Sequence, residues 1–187
     1  TIETLSGIKT LKLNIVKGKV KTVEVDMGAP ILEATKIPVS SSARSEDGKV
    51  RTEVEVKDRK IELTCVSMGN PHAVTFVNDI KNFKVAEYGP ILENADIFPE
   101  KANIEFVEIV DKNNIKMRVW ERGSGETLAC GTGACSSVVA SSLNGYTDRK
   151  VNVQLLGGNL EIEWKPNNHV HMTGPAVTVF KGEWIDE

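Results

Sequence analysis

The sequence predicts an α+β chain in which hairpin strands build a sheet and one small-residue helix packs against it. Segments of alternating apolar and polar residues recur in pairs across short turns that carry glycine or charge, the pattern of β-hairpins. Ala134 to Leu143 holds almost only Ala, Ser, Val and Cys, which lets a helix lie deep against a sheet. Between them the strand Ile115 to Trp120 runs into a glycine-rich turn that leads to that helix, and the rest of the chain is organised around this stretch. With 187 residues and 40% hydrophobic content there is material for a real core.

Ile8 to Val16 and Val20 to Met27 form the first predicted hairpin, across Lys17-Gly18-Lys19. Gly28 to Lys49, with Pro30, Pro38, Ser40 to Ser42, Asp47 and Gly48, reads as a loop or a junction between domains. Val50 to Val56 and Ile61 to Ser67 pair across Lys57-Asp58-Arg59, with Cys65 as a core residue. Gly69-Asn70-Pro71-His72 is a turn before the strand Ala73 to Val77. Lys84 to Asn94 has helical spacing, and Gly89-Pro90 predicts a break in it. After the loop Phe98 to Lys101, Asn103 opens the strand Ile104 to Val110, and Asp111 to Asn114 turns the chain back. Beyond the small-residue helix, which Asn144-Gly145 ends, Lys150 to Leu156 pairs with Leu160 to Lys165. Pro166 to Asn168 turns into Val170 to Thr173, and Gly174-Pro175 separates a last strand, Val177 to Phe180.

A net charge of −3, with basic residues scattered among acidic ones, argues against a nucleic-acid partner. No apolar run approaches the roughly 20 residues that span a bilayer, so no membrane partner is expected. Three cysteines suit reduced thiols better than a disulfide framework, and the expected setting is cytoplasmic. The chain opens at Thr1 inside what reads as a strand, as a fragment or a processed product does.

Chemistry concentrates at Glu121-Arg122-Gly123-Ser124-Gly125-Glu126-Thr127-Leu128-Ala129-Cys130-Gly131-Thr132-Gly133. A buried cysteine beside a glycine turn is ordinarily structural. Cys130, however, sits at a helix entrance, where unpaired N–H groups and the helix dipole stabilise a thiolate or a substrate carboxylate. Gly131-Thr132-Gly133 matches neither nucleotide-binding fingerprint, since no x-x-Gly and no Gly-Lys-Ser/Thr follows. His72, placed on a turn at a strand edge, is suited to orienting or deprotonating a thiol, or is a plain surface or capping histidine. Glu121-Arg122 reads either as a solvated pair or as a site in which Arg122 holds a carboxylate and Glu121 takes an ammonium or a thiol proton. Asn103 reads as a turn cap or a ligand contact. His169 and His171 share a strand face without a third nearby ligand, so no metal is expected.

Taken together, Gly69-Asn70-Pro71-His72, the Asn103 strand, the segment from Glu121 to Gly133 and Met172-Thr173-Gly174-Pro175-Ala176 resemble the diaminopimelate epimerases, in order along the whole chain. The resemblance implies a mixed, largely antiparallel sheet wrapped around a central helix. It implies a cofactor-independent inversion of one α-carbon of LL-diaminopimelate to the meso form, for lysine and cell-wall synthesis, by two cysteines on opposite faces of the substrate. Carried onto this sequence, it makes Cys130 one of the two acid/base thiols and gives His72 and Glu121 supporting roles beside them. Asn70, Asn103 and Arg122 become contacts to the distal amino-acid end, and Gly131 and Thr132 hold the reacting carboxylate.

The family's Cys-Gly-Asn-Gly segment, which carries the other thiol, does not occur here. By the resemblance, residues 1–30 are a remnant of a first domain, 31–174 the second domain with Cys130, and 175–187 a strand returning to the first. The expected partners are then the N-terminal domain and, through the unpaired strand edge before Pro30, a second copy of the chain. The chain alone is expected to lack full epimerase activity. A proline-racemase-type enzyme and a non-catalytic binding module of the same fold are the alternatives.

Overall fold

Two parallel strand pairs, each bridged by a helix, set the architecture of an otherwise antiparallel sheet. The structure, a computed structural model, describes residues 1–4, 7–40, 43–57, 59–183 and 185, with side chains at 44–46 left out. The strands are β1 (Ile2–Thr4), β2 (Gly7–Lys9), β3 (Leu11–Val16), β4 (Lys19–Asp26), β5 (Arg44–Glu46), β6 (Lys49–Val56), β7 (Arg59–Ser67) and β8 (Pro71–Phe76). Helix α1 (Val85–Glu93) precedes β9 (Asn103–Asp111), β10 (Asn114–Glu121) and β11 (Gly125–Thr127). Helix α2 (Gly131–Leu143) is followed by β12 (Lys150–Leu155), β13 (Gly158–Trp164) and β14 (Val170–Pro175). Strands β1 and β2 pair with each other, and the main sheet runs β3-β4-β14-β13-β12-β10-β9-β8-β7-β6-β5 with β11 added on β10.

The parallel pairs are β8 with β9 and β10 with β12. A parallel pair needs a long crossover, and α1 and α2 supply them. Since β9 and β10 are antiparallel, the two pairs run in opposite directions, and crossovers of one hand then place their helices on opposite faces of the sheet. The packing agrees. Alternate residues of one strand enter different cores: Ile104 and Phe106 join Val85 and Leu92 of α1, whereas Val107 joins Ala134, Val138 and Val139 of α2. Helix α2 is buried from Gly133 to Ser141 and packs on β7, β8, β9, β10, β12, β13 and β14, so the sheet wraps around it. Its Ala, Ser and Val side chains make that close approach possible.

This topology gathers three strand ends. His72 pairs with Asn103 at the starts of β8 and β9, and Trp120 near the end of β10 pairs with Ile104. Helix α1 braces the loop that follows: Glu93 accepts from Trp120 Nε1 at 2.7 Å and from the Gly123 amide at 2.9 Å.

Four expectations are corrected. Helix α1 runs through Gly89-Pro90 without a break. Gly89 instead lets the helix lie on Trp120, whose ring atoms would be 2.5 Å from an added Cβ. Val177 to Phe180 is exposed and has no strand structure, while Gly174 and Pro175 belong to β14, paired with Val23 and Thr22 of β4. The linker from Gly28 to Lys49 contains a 3-10 turn, Ala34–Lys36, and the strand β5. The glycine-rich turn before Cys130 contains β11, which folds back on β10 with Trp120 opposite Glu126. Ser41 and Ser42 of the predicted loop, Asp58 of the predicted turn, and Trp184, Asp186 and Glu187 of the last segment lie outside the described residues.

Candidate functional site

Cys130 is the N-cap of α2, extended at φ −138° and ψ 113°, and its Sγ accepts from the Gly133 amide at 3.4 Å. The predicted helix entrance is therefore present, with the helix beginning at Gly131, three residues before the small-residue run. Cys130 is 8% exposed. Burial pushes its thiol up to about 11, the Glu105 charge adds to that, and the Thr132 hydroxyl and the Gly133 amide oppose it. Desolvation thus outweighs the helix terminus, and the resting group is a thiol where sequence position suggested a thiolate.

A ring of hydrogen-bonding groups closes around the thiol. Thr132 Oγ1 lies 3.6 Å from Sγ and receives a long 3.5 Å contact from Asn70 Nδ2. Asn70 then faces its oxygen to His72 Nε2, 3.0 Å away, so Nε2 carries a hydrogen. On its other side His72 Nδ1 lies 2.7 Å from Glu105 Oε1. Gly133 closes the ring: a Cβ added there would sit 2.8 Å from Glu105 Oε1 and 3.2 Å from Cys130 Sγ. Only glycine admits the carboxylate at this turn of the helix.

His72 is 0% exposed on an internal strand, between β7 and β9, which corrects its placement at a strand edge. Both ring nitrogens are engaged by Asn70 and Glu105, so its link to Cys130 runs through Asn70 and Thr132. Glu105 is the residue that reasoning from sequence missed. It is 0% exposed, its Oε2 has no hydrogen-bond partner among the described residues, and burial raises its carboxyl despite the opposing pull of His72. The available signal was an acid inside Ile104-Glu105-Phe106-Val107, where apolar neighbours on both sides indicate a strand covered on both faces.

The Glu121-Arg122 corner lies at the same end of the sheet. Glu121 Oε1 accepts from the Thr127 hydroxyl, which ties β11 to β10, and its charge also bears on Cys130. Arg122 is exposed, and its Nη1 donates to the Glu100 carbonyl at 2.9 Å. Asn103 is buried and braces the site: Nδ2 donates to the Pro71 carbonyl at 2.9 Å, and Oδ1 accepts from the Arg122 amide at 3.0 Å. It therefore ties the Asn70-Pro71 turn to Arg122. Gly131 lies against Met172 of β14.

Away from the ring, His171 of β14 pairs with Glu24 of β4, and His169, just before β14, pairs with Asp26 of β4. Among the described residues no three His, Cys, Asp or Glu side chains are grouped to hold a metal ion. Among them, too, no helix is long and apolar enough to cross a membrane. A cleft of about 690 Å³ beside Arg51, Glu53, Glu62, Asn144 and Tyr146 contains none of the ring residues.

A family model described as diaminopimelate epimerase matches residues 64–179. The diaminopimelate epimerase of Methanococcus maripaludis strain S2 is 55% identical over 184 residues, which cover 98% of this chain and 65% of that protein. The diaminopimelate epimerase of Acetivibrio thermocellus is also 55% identical over 184 residues, covering 97% and 64%. This chain thus spans about 65% of the length of such relatives. Among solved structures, a probable proline racemase from Agrobacterium radiobacter K84 aligns with a TM-score of 0.63 at 14% identity, covering 95% of this chain and 59% of that one. At that identity the likeness shows the fold alone. The family match covers the Asn70-His72 turn, the Asn103 strand, the Glu121-Arg122 corner and the Cys130 helix entrance, and the chain belongs to the diaminopimelate epimerase family.

Proposed function

We propose that this chain carries one half of a two-thiol site that inverts the α-carbon of LL-diaminopimelate to the meso form, with Cys130 as one of the two acid/base groups. The observation that supports it best is Cys130 at the entrance of α2, ringed by Thr132, Asn70, His72 and Glu105. An amino-acid α-proton is a very weak acid, so its removal needs a positioned base and donors for the enediolate charge that develops. The amides of Gly131 and Thr132 open α2 and suit that charge. Because the Cys130 thiol is pushed up to about 11, it holds a proton at rest and acts as the acid in one direction of the reaction. The base that removes the first proton belongs on the opposite face of the substrate. Neither Cys65 nor Cys135, both 0% exposed, suits that role, and it is assigned to the part of such proteins that this chain does not span.

Arg122 spends one of its five N–H donors on Glu100 and is proposed to hold the distal carboxylate, with Asn70 beside it and Asn103 acting through the Arg122 backbone. Glu121 is proposed to take the distal ammonium or to tune the thiol. Free thiols at Cys65, Cys130 and Cys135 support a cytoplasmic setting, and the exposed Leu13 and Ile15 on the edge strand β3 support a homodimer.

The test is NMR of LL- and of meso-diaminopimelate in D2O with this chain and with Cys130→Ser, following α-deuterium entry and stereochemistry separately. Expected is slow Cys130-dependent exchange without inversion in the isomer whose α-hydrogen faces Cys130, rising about tenfold per pH unit below the thiol's midpoint. Inversion at a robust rate would show a second base within this chain and overturn the half-site reading. Exchange that survives Cys130→Ser would remove Cys130 from the chemistry.

A further inference from the structure

Glu105 is a carboxylate with 0% exposure, one oxygen on His72 Nδ1, the other unpartnered among the described residues, and the first oxygen against the turn of α2 that Cys130 caps. Nothing in the fold requires an acid there. The facing residue on β8 is Val74, and Val107, two residues along β9 on the same face, joins the apolar core under α2. A buried acid with an unpartnered oxygen is costly and is retained where it controls another group.

We infer that Glu105 is a positioning residue for Cys130: through His72, Asn70 and Thr132 it fixes the donor beside the thiol, and its own charge governs when that thiol ionises. The inference rests on the proposed acid/base role of Cys130. The ring accounts for both halves of it. His72 Nε2 is committed to Asn70, so a single proton lies between Nδ1 and Glu105 Oε1, on the ring or on the carboxyl. Each placement leaves the pair neutral overall, but only the first puts a negative oxygen beside Cys130. The charge on Glu105 and the ionisation of Cys130 therefore oppose each other.

The titratable groups facing this cluster come from several elements. Glu105 of β9, Glu121 of β10 and His72 of β8 surround it, Cys135 lies farther along α2, and Cys65 of β7 senses the Glu105 charge. On β14 the residue against Gly131 is Met172, while His171 is held by Glu24. Lys150 of β12 pairs with Glu161 and Glu163 of β13.

The experiment is the pH dependence of Cys130 alkylation by iodoacetamide, read by mass spectrometry of its peptide, in this chain and in Glu105→Gln. The amide keeps the shape and removes the charge. Expected is a midpoint lowered by about one pH unit, so roughly tenfold faster alkylation at a pH below both midpoints. An unchanged midpoint with an unchanged circular dichroism spectrum would overturn the inference. Glu105→Asp, which keeps the charge but draws it back, is expected to fall between the two, and a midpoint at or below that of Glu105→Gln counts against it. Should neither variant fold, the 15N shifts of His72 in the unsubstituted chain decide: they move as Cys130 ionises if the groups are coupled, and a flat response refutes the coupling. None of these readings needs diaminopimelate, so failure of substrate exchange and failure of this inference are separate results.

Discussion

Glu105 Oε1 and His72 Nδ1 lie 2.7 Å apart with both residues wholly buried, on neighbouring parallel strands under the first turn of α2. Removing one partner of such a pair leaves the other uncompensated in a low-dielectric interior. His72→Ala is expected to destabilise the chain by about 3–5 kcal/mol, measured by urea unfolding at neutral pH. A loss below about 1 kcal/mol would mean that Glu105 takes up a proton and stands alone without cost.

Two substitutions three residues apart on α2 should have opposite signs. Gly133→Ala puts a methyl 2.8 Å from Glu105 Oε1 and 3.2 Å from Cys130 Sγ, and is expected to cost about 1–3 kcal/mol. Ser136→Ala removes a buried hydroxyl with no partner among the described residues and improves helix propensity, for a gain of about 1 kcal/mol. Thermal or urea denaturation of the two proteins side by side checks the contrast.

Asn103→Ala should act at a distance. It frees the Pro71 carbonyl and the Arg122 amide, both otherwise held by one buried side chain, at a cost of about 1–3 kcal/mol. Because those contacts join the Asn70 turn to Arg122, diaminopimelate affinity is expected to fall more than the Cys130 alkylation rate changes. Equal losses in both readouts would point to general disruption.

All three thiols predict an alkaline weakness. Burial raises Cys130 to about 11 and both Cys65 and Cys135 to about 12, against an ordinary value of 9.0. In the folded chain these groups keep protons that the unfolded chain releases, so their contribution is complete below about pH 9 and is lost progressively from there to about pH 12. Each thiol contributes a slope of at most about 1.4 kcal/mol per pH unit in that window. Urea midpoints measured from pH 8 to 11 should fall, and Cys65→Ala should flatten the fall while lowering stability at pH 8.

Much of the molecule was legible residue by residue. The hairpins across Lys17-Gly18 and Asn113, the strand from Ile115 to Trp120 and the helix after Cys130 follow from local periodicity and turn chemistry, and all are present. The break expected at Gly89-Pro90 did not appear, because Trp120 and the core beneath α1 hold the helix through it. The strand expected at Val177 to Phe180 did not form either, for its apolar residues have no described partner to pair with.

By itself, then, the sequence determined the element types, the family motifs and the position of Cys130 at a helix entrance, since each depends on residues close together in the chain. Only the tertiary structure decided what surrounds that thiol. Glu105 and His72 are 33 residues apart and meet because β8 and β9 are parallel, and Gly133 meets Glu105 because α2 crosses the same face. Whether the helix entrance yields a thiolate or a thiol depends on that burial and on the carboxylate brought alongside, because desolvation and a neighbouring charge outweigh the helix terminus.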